Sequence, residues 1–171
     1  MKGHGKRSIS MPFFSFQKGE SSMDSMDRSI LKCLSVHSRQ SATEIGHKVH
    51  LSVAAVIERI RKLERNGIIQ QYTIVADQHK IGNDVTALME VSLEHPKYYE
   101  EFTKVMNDNS NVVECDYLTG DYDFMLKIHT QSSESLEQLH RIIKSIRGVS
   151  GTKTYFVLKE IKSAPAALAE A

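Results

Sequence analysis

Seven side chains between positions 52 and 62 have the types and spacing of a surface that could contact nucleic acid, with Arg59, Arg61 and Lys62 as its polyanion-binding members: Ser52, Ala54, Ala55, Glu58, Arg59, Arg61 and Lys62. Guanidinium and ammonium groups neutralise phosphate, while small residues let a backbone come close to base edges. If the segment is helical, small residues near its start followed by basic ones suit a helix entering a DNA major groove. Taken alone, the same pattern also describes an ordinary solvated charged face. Phosphate contacts by Arg59, Arg61 and Lys62 follow more directly than any base-specific role. Alanine can touch a thymine methyl but donates nothing, and Glu58 is repelled by phosphate unless it accepts from a cytosine amino group.

A second group is Thr119, Gly120, Asp121, Tyr122 and Asp123. A glycine here lets the backbone approach a small ligand and present N–H groups to a carboxylate. Asp121 or Asp123 could pair with an α-ammonium group. Gly-Asp and Tyr-Asp are also common turn chemistry, so the residues alone leave a plain hairpin turn open.

The remaining reactive side chains suggest no catalysis. There are eight histidines. His47 and His50 are closely spaced, but no cysteine or carboxylate completes a metal-ligand set beside them. No nucleophile motif or phosphate-binding loop is present, and no metal or cofactor is expected. Cys33 and Cys115 fall in apolar periodic segments and read as core thiols, with a redox sensor as the lesser alternative.

The elements that position these groups follow from periodicity. Val53, Val56, Ile57, Ile60 and Leu63 form one helical stripe, with Ser52 as N-cap and Asn66-Gly67 as the stop. Before it, Ser41 to Glu44 is a capping box that opens a short helix with Ile45 and Val49 inward. Earlier still, residues 27–36 are amphipathic, with Ile30, Leu31 and Leu34 inward. Two short helices joined tightly, the second basic outside, make a helix-turn-helix. Residues 68–75 look like a strand that supplies a wing.

Downstream, Val85 to Leu93 alternates as a half-buried strand, and Tyr99, Phe102, Val105 and Met106 form a helical stripe. Val112 to Leu118 and Phe124 to His129 are strands around the 119–123 turn. A helix from Ser133 buries Leu136, Leu139, Ile143 and Ile146 and ends at Gly148, and a strand runs from Thr152 to Leu158. The order βαββαβ predicts a ferredoxin-like sandwich with helices on one sheet face. The other face carries Leu88, Leu118 and Met125, and pairing two such faces in a dimer would cover them.

The fold class expected is therefore α+β, an N-terminal winged helix-turn-helix domain plus a C-terminal ferredoxin-like βαββαβ sandwich. The expected divisions are a basic, disordered arm over 1–23, the DNA-binding domain over 24–75 and a linker over 76–82. The sandwich covers 83–162 and a disordered tail 163–171. The chain has 171 residues, 40% of them hydrophobic and a net charge of +1. Lys and Arg outnumber acids by eight to five over 24–75 and by four to one over 1–23, whereas 76–171 has ten against fifteen. The excess positive charge lies where phosphates would be met. No apolar run reaches the roughly 20 residues needed to span a bilayer, so no membrane partner is expected. The patch Met11 to Phe16 is too brief for a secretory signal, and a cytoplasmic, nucleoid-associated location follows.

With these pieces in place, the chain resembles the leucine-responsive regulatory protein (Lrp/AsnC) family of transcription regulators from about Asp24 to Ile161. The resemblance rests on Met26-Asp27-Arg28-Ser29-Ile30-Leu31, on Leu51-Ser52 with Val56, Arg59, Ile60, Leu63, Gly67 and Ile68, and on Leu118 to Asp123. It implies a regulator that binds double-stranded DNA and an amino-acid effector, assembling as a homodimer and further to an octamer. It also implies that the 119–123 turn is the effector site, with Thr152 and Thr154 as a neighbouring subunit's share. The chain departs from the family at Ala54, Ala55 and Glu58, where Ser or Thr and a basic residue are frequent. Residues 1–23 have no counterpart there. An effector-independent nucleoid organiser is the alternative reading. A siroheme-decarboxylase-like enzyme is a more distant one, since the arginine- and histidine-rich porphyrin signature is missing.

Overall fold

The computed structural model describes residues 23–164 and Leu168. The expectations for an N-terminal arm and a C-terminal tail fall almost wholly outside these residues. Two compact units divide between Tyr72 and Thr73.

The first unit holds three helices: α1 (Ser25–Val36), α2 (Ala42–Val49) and α3 (Val53–Arg65). Each start is capped by a side chain that takes up an N–H without an intrahelical partner. Asp24 accepts from Asp27 N–H at 2.7 Å, in a second capping box that places the start of α1 at Ser25 rather than at residue 27. The Ser41 hydroxyl accepts from Glu44 N–H at 3.2 Å, and the Glu44 carboxylate accepts from Ser41 N–H at 2.7 Å. The Ser52 hydroxyl accepts from Ala55 N–H at 3.2 Å. The connection from α2 to α3 is tight. His50 adopts a left-handed conformation (φ +56°), and a Cβ at Gly46 would lie 2.7 Å from the Leu51 carbonyl oxygen.

Ile30, Ile45, Val49, Val56 and Leu63 form the core of this unit. The apolar stripe of α3 is narrower than its periodicity suggests: Val53 is 42% exposed and Ile57 36%. A three-helix unit this small encloses only the centre line of the stripe.

The expected strand over 68–75 does not form. Gly67, at φ +68°, ends α3, and Ile68 and Ile69 N–H both return to the Leu63 carbonyl. The following residues run without strand pairing, and Ile74 and Val75 are 85% and 88% exposed. Their alternation suits a strand, but a strand exists only against a partner backbone, and none is offered by the described residues of the chain. The Tyr72 hydroxyl instead donates to Glu64 of α3 at 2.8 Å. Partial burial and this carboxylate push its pKa up to about 12.

The second unit runs β1 (Val85–Leu93), α4 (Tyr99–Asn107), β2 (Val112–Tyr117), β3 (Phe124–Thr130), α5 (Ser133–Ser145) and β4 (Val149–Phe156). The sheet order is β2-β3-β1-β4, all antiparallel, which is the ferredoxin-like arrangement. Ala87, Met89 and Val91 of β1 and Phe124, Leu126 and Ile128 of β3 are buried against Phe102 and Met106 of α4 and Leu136, Leu139 and Ile143 of α5. Helix α5 stops at Ser145, before Gly148, and β4 begins at Val149, three residues earlier than expected. Gly148 sits at φ +88° under the Tyr98 ring, where an added Cβ would fall 2.1 Å from a ring carbon. The opposite sheet face carries no helix of this unit. Leu88 and Met125 on it are half-buried, Leu118 at the turn is 37% exposed and Tyr155 39%.

Candidate nucleic-acid interface and effector turn

Helix α3 presents Ala54, Glu58, Arg61, Lys62 and Arg65 to solvent, with Ala55 half-buried at the edge of the same face. Val56 and Leu63 anchor the other side in the core. Ser52 stands exposed at the helix start, its hydroxyl already accepting from Ala55 N–H. Glu58 is not left alone among the cations: its Oε1 lies 2.9 Å from Nη2 of Arg65, both side chains being largely exposed. This hydrogen bond, with the charges of Arg65 and Arg61, holds the Glu58 carboxyl below its ordinary pKa.

Arg59, expected among the phosphate contacts, is turned inward. Its Nη1 is 2.7 Å from Asp24 Oδ2 and 2.6 Å from Asp27 Oδ1, and Asp27 is buried. Hydrogen bonds to Asp24 and then Asp27 raise the Arg59 pKa further, and the Asp24 carboxyl is lowered, chiefly by Asp27 N–H and then by Arg59. The pair ties the start of α1 to the middle of α3. Asp24 and Asp27 hold the Arg59 side chain in place, a structural role that sequence reasoning missed. The capping spacing of the two aspartates was available as a signal, but their meeting with Arg59 was not.

In the second unit, residues 119–123 connect β2 to β3 as an exposed turn. Leu118 N–H donates to the Asp123 carbonyl at 2.7 Å, and Asp123 N–H to the Val91 carbonyl at 3.0 Å. The Asp123 carboxylate accepts from Leu93 N–H at 2.6 Å. Asp123 thus fixes the turn to the end of β1, which leaves Asp121 as the exposed carboxylate of the segment. Thr119 and Gly120 are exposed and Tyr122 half-buried. A Cβ at Gly120 would meet nothing within 4 Å, and its φ is not positive, so this chain's own backbone does not require glycine there.

Thr152 and Thr154 stand on the helix-covered face of β4, paired with Val91 and Met89. The Thr152 hydroxyl is 2.9 Å from Nε2 of His140 on α5. Val91 of β1 lies between Thr152 and the end of the turn: it pairs with Thr152, and its carbonyl accepts from Asp123 N–H.

Of the histidines noted in the sequence, His47 and His50 line an open cavity of about 350 Å³ at the α2–α3 turn, together with Gly46, Ser52 and Val53. Both cysteines are free and half-buried, and burial pushes the Cys115 thiol up, which disfavours the reactive thiolate. Among the described residues, no helix is long and apolar enough to cross a membrane.

A capped helix pair with a basic, solvent-facing second helix, followed by a ferredoxin-like domain, defines a helix-turn-helix DNA-binding protein with a separate second domain. The AsnC-type helix-turn-helix domain pattern matches residues 23–64, and the Lrp/AsnC ligand binding domain pattern matches residues 86–167. The leucine-responsive regulatory protein of Escherichia coli K12 is 32% identical over 143 residues, covering 82% of this chain and 87% of the relative. Among solved structures, B. subtilis LrpC superposes with a TM-score of 0.75 at 35% identity, covering 82% of this chain and 97% of the other. A Neisseria meningitidis transcriptional regulator in complex with L-Met gives 0.82 at 26% identity, covering 85% and 96%.

The chain belongs to the Lrp/AsnC family of DNA-binding transcriptional regulators with an effector-binding domain, a family of regulators and not of enzymes.

Proposed function

We propose that this regulator binds double-stranded DNA through α3 as a homodimer that assembles further, up to an octamer. An amino acid bound in its ferredoxin-like domain then shifts the assembly and with it DNA occupancy. The protein acts in the cytoplasm, on the nucleoid. The observation that carries the reading is the face of α3, which leaves Ser52, Ala54, Arg61, Lys62 and Arg65 free of the core. The N. meningitidis relative in complex with L-Met supports the amino-acid class of effector.

The effector site is assigned to Thr119, Gly120, Asp121 and Tyr122, with Asp121 facing the ammonium group and Asp123 holding the turn in shape. Thr152 and Thr154 are assigned as the neighbouring subunit's share, as the resemblance to the family implies. Linkage supplies the mechanism: a ligand that favours one assembly changes how many DNA-binding units engage together, and so the avidity.

The test is anisotropy with a DNA duplex across a salt series. Arg61→Ala and Lys62→Ala should each weaken binding to all sequences and reduce the salt slope by about one. Unchanged slopes would remove α3 from the interface. A parallel thermal-shift screen against the twenty amino acids should give a selective rise in Tm. No shift with any of them, while DNA still stabilises the protein, would favour an effector-independent DNA organiser.

A further inference from the structure

The Glu58–Arg65 pair is not explained by phosphate binding. On a face that only neutralises phosphates, a carboxylate cancels one cation and repels the polyanion. Yet Glu58 stands in the middle of that face, one turn after Ala54 and between the basic side chains and the helix start.

The neighbouring residues narrow what it can do. Ala54 and Ala55 offer methyl groups alone, so the first turn can approach base edges closely. The Ser52 hydroxyl accepts from Ala55 N–H. Arg61, Lys62 and Arg65 are donors. Among the described residues of this face, Glu58 is the ionised acceptor, and it lies in the second turn, within reach of a groove floor that the alanines leave open.

We propose that Glu58 is the base-reading side chain of α3, accepting from the amino group of a cytosine, with Arg65 as the residue that positions it. The inference rests on the DNA-binding reading above. Cytosine N4 is a donor whose paired guanine presents two adjacent acceptors, O6 and N7, in the major groove. A carboxylate with a guanidinium 2.9 Å away presents the complementary order, an acceptor beside a donor. Adenine also offers an amino donor, but its N7 acceptor lies next to it and repels the second carboxylate oxygen. Arg65 has two effects: it reduces the repulsion between Glu58 and phosphate, and it selects one of the carboxylate's rotamers before DNA arrives.

The experiment is binding-site selection from randomised duplexes with the full chain, using the wild type, Glu58→Gln, Glu58→Ala and Arg65→Ala. Melting curves serve as a folding control, since both side chains are exposed. The wild type should select C·G at one position in each half-site, by about tenfold over other bases. Glu58→Gln should move that choice to adenine, which glutamine reads through N6 and N7. Glu58→Ala should abolish it while raising affinity for unselected DNA, with a salt slope steeper by about one because Arg65 is released to phosphate. Arg65→Ala should weaken the choice without changing its identity.

If the wild type binds and selects but both Glu58 variants select the same bases, this inference is overturned and the DNA-binding reading stands. If the wild type shows no salt-dependent DNA binding, both fall.

Discussion

Arg59 and Arg61 lie two positions apart on one helix and carry the same charge, yet their surroundings give them different work. Arg61 points to solvent, whereas Arg59 supplies both hydrogen bonds that join Asp24 and buried Asp27 to α3. Removing one partner of a buried ion pair leaves the other without compensation. Arg59→Ala should therefore destabilise the DNA-binding unit by about 2 kcal/mol, read by urea unfolding, while the salt slope of DNA binding in the folded protein stays unchanged. A reduced slope with unchanged stability would return Arg59 to the phosphate face. The pH dependence has a definite sign. The Asp24 pKa is lowered by folding, so its contribution is present above the ordinary carboxylate range and is lost as pH falls through the depressed value. Arg59→Ala should make that acid limb shallower without removing it, because the Asp27 N–H, the larger cause of the lowering, remains.

At the scale of elements, the helices were legible because their signals are local. Ser41 with Glu44, Ser52, and Asn66-Gly67 mark ends through contacts a few residues apart, and each mark coincides with an observed boundary. The 68–75 segment failed because alternation specifies faces without supplying a partner backbone. Gly67 and Gly148 differ for a similar reason, although both have positive φ. Gly67→Ala meets no atom within 4 Å and should cost about 1 kcal/mol. Gly148→Ala also drives a Cβ into the Tyr98 ring and should cost about 3 kcal/mol, with loss of packing between the start of α4 and the α5–β4 turn. Equal costs in thermal unfolding would show that the Tyr98 ring moves aside freely.

For the whole molecule, the sheet face that carries no helix is the feature that asks for a second copy. Leu88, Met125 and Tyr155 stand on it among Glu90, Lys127 and Lys153, an apolar centre with polar groups around it. Leu88→Glu should shift the proposed dimer toward monomer, measured by light scattering after size-exclusion chromatography. It should also lower DNA affinity by more than its own charge explains, because avidity is lost. A wild-type chain that is monomeric at working concentrations would remove both the dimer and the linkage mechanism built on it.

The sequence by itself determined the helix-turn-helix and the βαββαβ order, because caps, stops and apolar periodicities act over a few residues and survive in any context. It indicated the family through the resemblance of its motifs to those of known members. It also placed the basic face of α3, since helical geometry alone puts Ala54, Glu58, Arg61 and Lys62 together. The tertiary structure decided what depends on residues far apart in the chain. It turned Arg59 toward Asp27, 32 positions away, and gave the Asp123 carboxylate to Leu93 N–H, 30 positions away. It also put Thr152 on the helix side of the sheet, two strands from the turn. A charged or polar side chain commits to the partner that packing brings within about 3 Å, and no spacing rule along the chain names that partner.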